Sequence, residues 1–392
     1  MVYIPSIASS LALLTLAASF AQAATTCTVA KDASDDATTI TAAFNACKNG
    51  GTVVFTKGQT YNLKSLVSVS GLKNVNVQFY GTVNLPAYNT KFDGESSYFL
   101  IKGDNIHWDG NNVGGFVGGG QDWWNAQDKK APSVLRITAT HSSFINFKIS
   151  QSPRAHLGVT SSDDVLLQHI TLHSVSSNSN LPKNTQVYAA LYMIQHIDAL
   201  DISNSKNIVV QNSDFTVGDD CLAINGNVSN VTLSDVTCTN GHGFSVGSLG
   251  KGGETDVVKD ITVQNSACIN CQNGVRIKTW PGGKGSVSNV KFKNVNLPSV
   301  ENAVLITTHY CDNNQMSYCN GKDDASLTIS DVNISGLTGS MSGSNPMVNI
   351  NCSTNTPCSG FSLSGITISK NSKTKANVCT NLNGASSISY CK

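Results

Sequence analysis

A short run of alternating apolar and polar residues that ends in a turn residue recurs along this chain, and it constrains the fold most strongly. Ile208–Asn212 reads Ile-Val-Val-Gln-Asn, and Ile261–Asn265 reads Ile-Thr-Val-Gln-Asn. Alternation with a period of two predicts a strand with one buried face, and Asn, Asp and Gly favour tight turns. Similar runs occupy residues 144–149, 165–170, 231–235, 290–294, 327–331 and 361–365.

The spacing of these runs predicts a β-solenoid. The run itself is nearly constant while the intervals vary, as expected if loops of different lengths project from stacked coils. A β-sandwich is the alternative, but its strands need not repeat one pattern. We therefore predict an all-β protein with a single solenoid domain over residues 24–392.

One helix is expected near the start of the chain. Ile40, Ala43, Phe44 and Cys47 are spaced as one face of a helix, and they follow a Ser-Asp-Asp capping segment at residues 34–36. A solenoid leaves the core of its first coil open. The helix is predicted to seal that end.

Residues 1–23 resemble a secretory signal peptide. The segment is apolar, contains no Lys, Arg, Asp or Glu, and ends in Ala21-Gln22-Ala23, a small-x-small cleavage motif. Its apolar centre is too short to span a bilayer, and no second apolar span of that length follows. We expect a secreted, extracellular protein that is not inserted in a membrane.

Twelve cysteines in a secreted chain predict disulfides. Cys268 and Cys271 stay open between a local disulfide and a redox motif; the lack of a second such motif argues against zinc. Local pairing gives Cys27 with Cys47, Cys221 with Cys238, Cys311 with Cys319, Cys352 with Cys358, and Cys379 with Cys391. Candidate glycosylation sites are Asn227, Asn230, Asn333 and Asn351.

The charge content bounds the partners. The formal net charge is +1 and only 13% of residues are charged, so a nucleic-acid partner is not expected. A monomer is the default expectation.

Val217–Cys221 contains two adjacent carboxylates, Asp219 and Asp220, and Asp198 lies a short distance upstream. Two neighbouring carboxyls cannot both ionise as easily as one alone, so one can donate a proton while another acts as a base. Glycosidic hydrolysis needs this division of labour. An isolated Asp pair is more often part of a turn, so two carboxylates alone do not identify a hydrolase.

A histidine and two cations complete the set. His242 lies between two glycines, and Arg276 and Lys278 are two residues apart, so on a strand they share one face. Together they can hold a substrate carboxylate, Arg through a bidentate contact and Lys as a point charge. The combination suits acid/base cleavage of an anionic sugar polymer.

These motifs resemble those of the polygalacturonases, the family 28 glycoside hydrolases. The shared motifs are Gly-Asp-Asp-Cys at 218–221, the Gly-His-Gly segment at 241–250, and Asn-Gly-Val-Arg-Ile-Lys at 273–278. The resemblance covers essentially the whole mature chain. It implies a single-stranded, right-handed parallel β-helix that hydrolyses the α-1,4 linkages of polygalacturonic acid in pectin, with no metal or cofactor.

The resemblance also implies roles for individual residues. Asp219 would be the general acid, while Asp198 and Asp220 would hold the attacking water for an inverting displacement. His242 would tune the protonation of the acid. Arg276, Lys278 and Tyr310 would bind the substrate.

One departure from the family pattern precedes Asp198. The family has Asn-Thr-Asp, whereas Asp198 follows His196-Ile197, and the Asn184-Thr185 pair stands upstream. Removing residues 186–197 would restore the motif. We hypothesise that these residues are an insertion, either genuine or a gene-model error.

The motif phrases are closest to those of fungal exopolygalacturonases, so exo action is expected, with endo-polygalacturonase and xylogalacturonan-type hydrolase as alternatives. A pectate lyase would act on the same polymer with calcium and an arginine base. A carbohydrate-binding β-helix impaired by the segment 186–197 is the non-enzymatic alternative.

Overall fold

The computed structural model describes residues 25–178, 197–319 and 325–392, and within these ranges the chain forms a parallel β-helix. Apart from the β1–β2 pair, each strand pairs in parallel with a strand from the next coil rather than with the strand that neighbours it in sequence. The predicted fold class is therefore confirmed.

The helices and strands, in chain order, are β1 (Thr26–Thr28), α1 (Asp36–Ala46), β2 (Thr52–Phe55), β3 (Thr60–Asn62), β4 (Val67–Phe79), β5 (Thr82–Asn84), β6 (Ser97–Asp109), β7 (Gly115–Val117), α2 (Gly120–Asn125), β8 (Ser133–Ile145), β9 (Lys148–Ser150), β10 (Leu157–Thr160), β11 (Asp163–Gln168), β12 (Thr171–His173), β13 (Leu200–Ser203), β14 (Lys206–Thr216), β15 (Leu222–Ile224), β16 (Val228–Thr239), β17 (Phe244–Leu249), β18 (Thr255–Ile269), β19 (Asn273–Thr279), β20 (Lys284–Val300), β21 (Asn302–Thr307), β22 (Thr328–Ser335), β23 (Thr338–Met341), β24 (Val348–Asn351), β25 (Ser362–Ser364), β26 (Thr367–Ser369) and β27 (Val378–Thr380). Short 3-10 turns lie at Thr90–Phe92, Lys251–Gly253, Asn313–Tyr318, Ala385–Ser387 and Ser389–Cys391.

The recurring runs stack on one another to build the core. Ile208 pairs with Val231, Val231 with Ile261, Ile261 with Val290, and Val290 with Val332, one residue from each successive coil. All five side chains are almost completely buried. Each such burial contributes about 1.5–3 kcal/mol relative to an exposed side chain, which explains why the apolar positions recur.

Where a run ends in Asn or Asp, that residue occupies a left-handed corner. Asn212, Asp235, Asn265 and Asn294 have φ of 50°, 56°, 50° and 53°. Asn and Asp tolerate this region because their short polar side chains can form local hydrogen bonds. Their amides also link the coils, since Asn294 Nδ2 donates to Asn265 Oδ1 at 3.2 Å.

The run at 144–149 bends where a single run was predicted. Asn146, with φ of 59°, lies at its centre, between the end of β8 and the start of β9. The corner residue thus falls inside the apolar run, and sequence alternation cannot show this bend because the apolar residues on both sides of it face the core.

The predicted helix forms and covers the first coil. Asp35 caps α1 by accepting a hydrogen bond from the Ala37 amide at 3.1 Å. Phe44 is fully buried, and its ring lies 6.2 Å from those of Phe55 and Trp108. The short helix α2 was not predicted.

All twelve cysteines are paired. The five predicted pairs form, and Cys268 is bonded to Cys271. This result resolves the open alternative in favour of a local disulfide.

The remaining sequence predictions concern the signal peptide, membrane spans and glycosylation sites. The predicted signal peptide, residues 1–23, lies outside the described residues. Among the residues that are described, no helix is long and apolar enough to cross a membrane. The sequon residues Asn227 and Asn230 are exposed, whereas Asn333 and Asn351 are half-buried.

Candidate active site

One sheet of the β-helix brings the predicted site residues together. In its outward-facing row, Asp201 pairs with Ala223, Ala223 with Ser245, and Ser245 with Arg276. Asp198, Asp219, Asp220 and His242 lie in the segments that lead into β13, β15 and β17. The sequence-distant motifs are therefore neighbours along one cleft.

Backbone hydrogen bonds hold these entry segments in register. The Ala199 amide donates to the Asp220 carbonyl at 2.9 Å, and the His242 amide donates to the Asp219 carbonyl at 2.7 Å. Consecutive coils are separated by about 4.8 Å. This spacing keeps carboxyls of neighbouring coils close enough to interact.

Asp219 is bound to the predicted histidine. His242 Nδ1 lies 2.7 Å from Asp219 Oδ1, and both side chains retain some exposure, 16% and 17%. The same carboxylate oxygen accepts the Asp220 amide hydrogen at 2.9 Å. Asp219 is thus oriented by two partners yet stays accessible from the cleft.

Asp220 is buried and surrounded by donors. Arg276 Nη2 pairs with its Oδ1, Lys278 Nζ lies 2.7 Å from its Oδ2, and Ser245 Oγ donates to Oδ1 at 2.9 Å. Burial alone would raise the pKa of Asp220, but Arg276 and then Lys278 outweigh it, so this pKa lies below its ordinary value. Both cations predicted to bind substrate also neutralise this carboxylate.

The pKa of Asp198 is shifted in the opposite direction from that of Asp220. Burial raises its pKa well above the usual range, and the negative charges of Asp201, Asp219 and Asp220 add to that effect. The group therefore favours its protonated form, while Asp220 favours the ionised form. Asp198 therefore ionises at a higher pH than Asp220.

Asp201 is a functional candidate that the sequence reasoning missed. It lies on β13 between the buried residues Leu200 and Ile202. Burial first, and the Asp220 charge second, raise its pKa to about 7. A carboxylate at the outward position of a strand that follows Asp198 by three residues was the signal that could have identified it.

His156 is a second missed contributor. Its Nδ1 lies 2.8 Å from the Asp198 carbonyl, which can only accept, so Nδ1 carries the proton. Its Nε2 then accepts from Ser174 Oγ at 2.8 Å. Burial lowers the pKa of His156 to about 4, which keeps the ring neutral. This histidine fixes the backbone of Asp198.

Tyr310, which was predicted to bind the substrate, lies beside Lys278. Lys278 Nζ is 5.2 Å from the centre of its ring, and Trp280 packs against it edge-on at 4.9 Å. Burial raises the pKa of Tyr310 to about 12, so its hydroxyl is protonated over the working range of such a site.

Within the described ranges, two clusters have the composition of a metal site. Asp219, Asp220 and His242 each place a ligand atom within 4.8 Å of the others, and so do Cys221, Cys238, Cys268 and Cys271. The carboxylates, however, contact His242, Arg276 and Lys278, and the four sulfurs form two disulfides. These atoms are already engaged by protein partners.

Comparison with known proteins gives concordant matches. The model of glycosyl hydrolases family 28 matches residues 47–390. Exopolygalacturonase rpg13 of Rhizopus delemar is 53% identical over 385 residues, which cover 98% of this chain and 96% of that protein. Exopolygalacturonase rpg16 of the same fungus is 50% identical over 347 residues, covering 88% and 86%.

The fold has a solved counterpart. The crystal structure of endo-xylogalacturonan hydrolase from Aspergillus tubingensis matches with a TM-score of 0.79 at 23% identity, over 92% of this chain and 96% of that one. At this identity the likeness concerns the fold. The family match and the two closely similar relatives establish that this chain belongs to glycosyl hydrolases family 28.

Proposed function

We propose that this protein hydrolyses the α-1,4-galacturonosyl linkages of polygalacturonan, with inversion and from a chain end. The observation that carries the proposal is the clustering of Asp198, Asp219 and Asp220 on adjacent coils, with Arg276 and Lys278 beside them. Three carboxyls supply the acid and the base, and the cations suit a polymer that carries one carboxylate per sugar.

The roles follow from the surroundings of each carboxyl. Asp219, exposed to the cleft and oriented by His242, is placed to protonate the leaving oxygen. Asp220, kept ionised by two cations, orients the attacking water together with Asp198. The raised pKa of Asp198 means that its ionisation sets the lower limit of the active pH range.

Exo action is supported by the relatives. Two proteins at 53% and 50% identity, aligned over most of their length, are exopolygalacturonases. In this chain a disulfide-closed loop, Cys311 to Cys319, follows Tyr310 directly and exposes Met316 and Tyr318; the Tyr318 ring lies 6.1 Å from that of Trp280. An endo-polygalacturonase or xylogalacturonan hydrolase is the alternative.

The protein is proposed to act outside the cell, as a monomeric glycoprotein. Six disulfides are typical of an oxidising compartment. The exposed sequons Asn227 and Asn230 are the proposed glycan positions.

Product analysis on polygalacturonate tests the reaction and its mode. Exo action releases monomeric galacturonate from the first time points, while endo action releases mixed oligomers. Nuclear magnetic resonance of the fresh product should show inverted anomeric configuration. An unsaturated product would indicate elimination, and polymer binding without new reducing ends would indicate a non-catalytic module.

The variant Asp219→Asn tests the assigned acid. Loss of the proton donor should lower kcat about 10²–10⁴-fold, because general acid catalysis contributes that factor. Reducing-sugar release measures the effect, and the melting temperature confirms folding. The matched control, Asp214→Asn on the exposed side of β14, should leave kcat unchanged. Full turnover by Asp219→Asn would contradict the assignment.

A further inference from the structure

The distribution of arginine in this chain is uneven. The sequence has 26 basic residues, of which only Arg136, Arg154 and Arg276 are arginines. Arg276 lies on β19 in the cleft, Arg136 on β8, and Arg154 in the segment that leads into β10. All three arginines are thus on the coils of the sheet that carries the catalytic carboxyls, while lysines provide every other basic side chain.

Arg136 belongs to the same outward-facing row as Asp201 and Arg276. It pairs in register with Gly158, and Gly158 pairs with Asp201. Arg136 is therefore two coils, or about 9.6 Å, from Asp201, on the side opposite to Arg276. The row runs from one arginine, through the carboxyl cluster, to another.

Gly158 places no side chain in this row, which leaves open space above the strand. A Cβ atom built on it would meet only Arg136, with Nε at 3.9 Å and Cγ at 4.0 Å. The backbone there is ordinary strand, so glycine is not required by its φ angle. The open space lies directly between a guanidinium and the catalytic carboxyls.

The guanidinium groups of Arg136 and Arg154 lack strong protein partners. Arg136 Nη2 donates to the Ser96 carbonyl at 3.4 Å, while its Nε is buried and unpaired. Among the described residues, neither Arg136 nor Arg154 forms an ion pair. Both charges act on Asp201 from a distance, but burial and Asp220 still leave its pKa at about 7. Neutralising Asp201 therefore does not account for them.

We infer that Arg136 and Arg154 form a second carboxylate-binding subsite, which holds a galacturonate carboxylate on the side of the catalytic acids opposite to Arg276 and Lys278, with the sugar ring over Gly158. The inference rests on the proposed function. Guanidinium groups match a carboxylate through two parallel hydrogen bonds, which lysine cannot provide. The substrate is thereby held on both sides of the scissile bond.

Binding of trigalacturonate by calorimetry tests the subsite directly. In an Asp219→Asn background, which prevents turnover, Arg136→Gln and Arg154→Gln should each weaken Kd about tenfold or more, as expected for loss of a hydrogen bond between charged groups. The Kd of Arg154→Lys should lie between that of the background protein and that of Arg154→Gln. The control Lys291→Gln removes one exposed charge from β20, away from the cleft, and should bind like the background protein.

Gly158→Val supplies a test that leaves both arginines in place. Valine fills this open space and should weaken Kd. Because valine favours strands and a Cβ atom at this position meets no atom closer than 3.9 Å, the melting temperature should hold or rise. Weaker binding together with an unchanged or higher melting temperature would support the subsite.

Unchanged Kd in the three cleft variants would overturn the inference. So would a lower melting temperature with unchanged Kd in both arginine variants, since that result indicates a structural role. Because binding is measured without turnover, a wild-type protein that fails to hydrolyse polygalacturonate would refute the proposed function and leave this test intact.

Discussion

Asp201 and Asp220 lie on neighbouring coils, yet their surroundings shift the two pKa values in opposite directions. Arg276 and Lys278 stabilise the charge of Asp220, whereas burial and a neighbouring negative charge oppose ionisation of Asp201. Because the folded pKa of Asp201 lies above its unfolded value, the folded state binds more protons between about pH 4 and pH 7. Stability contributed through this residue is present below that window and is lost as the pH rises through it.

We predict that Asp201→Asn removes part of this pH dependence. The asparagine cannot ionise, so the melting temperature of the variant should gain on that of the wild type as the pH rises from about 4 to about 7. Melting curves at several pH values measure the difference. With Asp214→Asn, an exposed change, the difference should not vary with pH; a constant difference for Asp201→Asn would contradict the prediction.

Gly241 shows how closely the backbone beside His242 is packed. A Cβ atom there would lie 2.5 Å from Cys221 Sγ and 2.9 Å from the Asp219 carbonyl. We predict that Gly241→Ala lowers kcat at least tenfold, because relief of the clash must shift the segment that places His242.

The cost to stability of Gly241→Ala should be about 1–3 kcal/mol, as for other overpacked sites. Denaturant unfolding and steady-state kinetics measure the two effects. Gly343→Ala, where the nearest contacts are ordinary at 3.5 Å, is the control. Wild-type kcat in Gly241→Ala would show that the site tolerates this shift.

At the scale of elements, the alternating runs and their corner residues were predictable from sequence. Runs such as Ile261–Asn265 alternate because one face is buried, and Asn265 ends the run because it tolerates a left-handed corner. The bend at Asn146 was not predictable, because apolar residues flank it on both sides. Alternation could show that Asp201 faces outward, but its place in the cleft follows from the register with Ser245 and Arg276.

Residues 186–197 are the segment that the sequence predicts to be an insertion. Residues 186–196 lie outside the described residues, and the segment rejoins them at Ile197, whose carbonyl accepts the Gly218 and Asp219 amides at 3.3 and 3.2 Å. Any residue at that position can supply the carbonyl. We therefore predict that deleting 186–197 gives a folded protein with activity at or above that of the full chain.

Sequencing the transcript across these codons distinguishes the two origins of the segment. A message without them identifies a gene-model error, and a message with them identifies a genuine insertion. An inactive but folded deletion variant would show that the segment contributes to the site.

At the scale of the whole molecule, stability depends on stacking coils and on covering the first of them. Phe44 is buried against the rings of Phe55, Phe99 and Trp108. In a solenoid each coil contacts only its neighbours, so loss of the cover exposes the end of the stack. The need for this helix could be predicted from sequence because an open end is unavoidable in such a fold.

We predict that Phe44→Ala lowers the free energy of unfolding by about 3–5 kcal/mol, the usual cost of truncating a buried phenylalanine. Denaturant unfolding measures it, with Thr38→Ala on the exposed face of α1 as the control. Activity of the folded fraction should be unchanged, since α1 is remote in sequence from the cleft coils. A loss below 1 kcal/mol would show that the helix is dispensable.

The local pairing of the cysteines has a consequence for biosynthesis. The most widely separated partners, Cys27 and Cys47, are 20 residues apart. At roughly 5–20 residues per second, the second thiol of every pair leaves the ribosome within about four seconds of the first. Crosslinks can therefore close in the order of translation, each pair before the next pair is made, and no thiol has to wait for a distant partner.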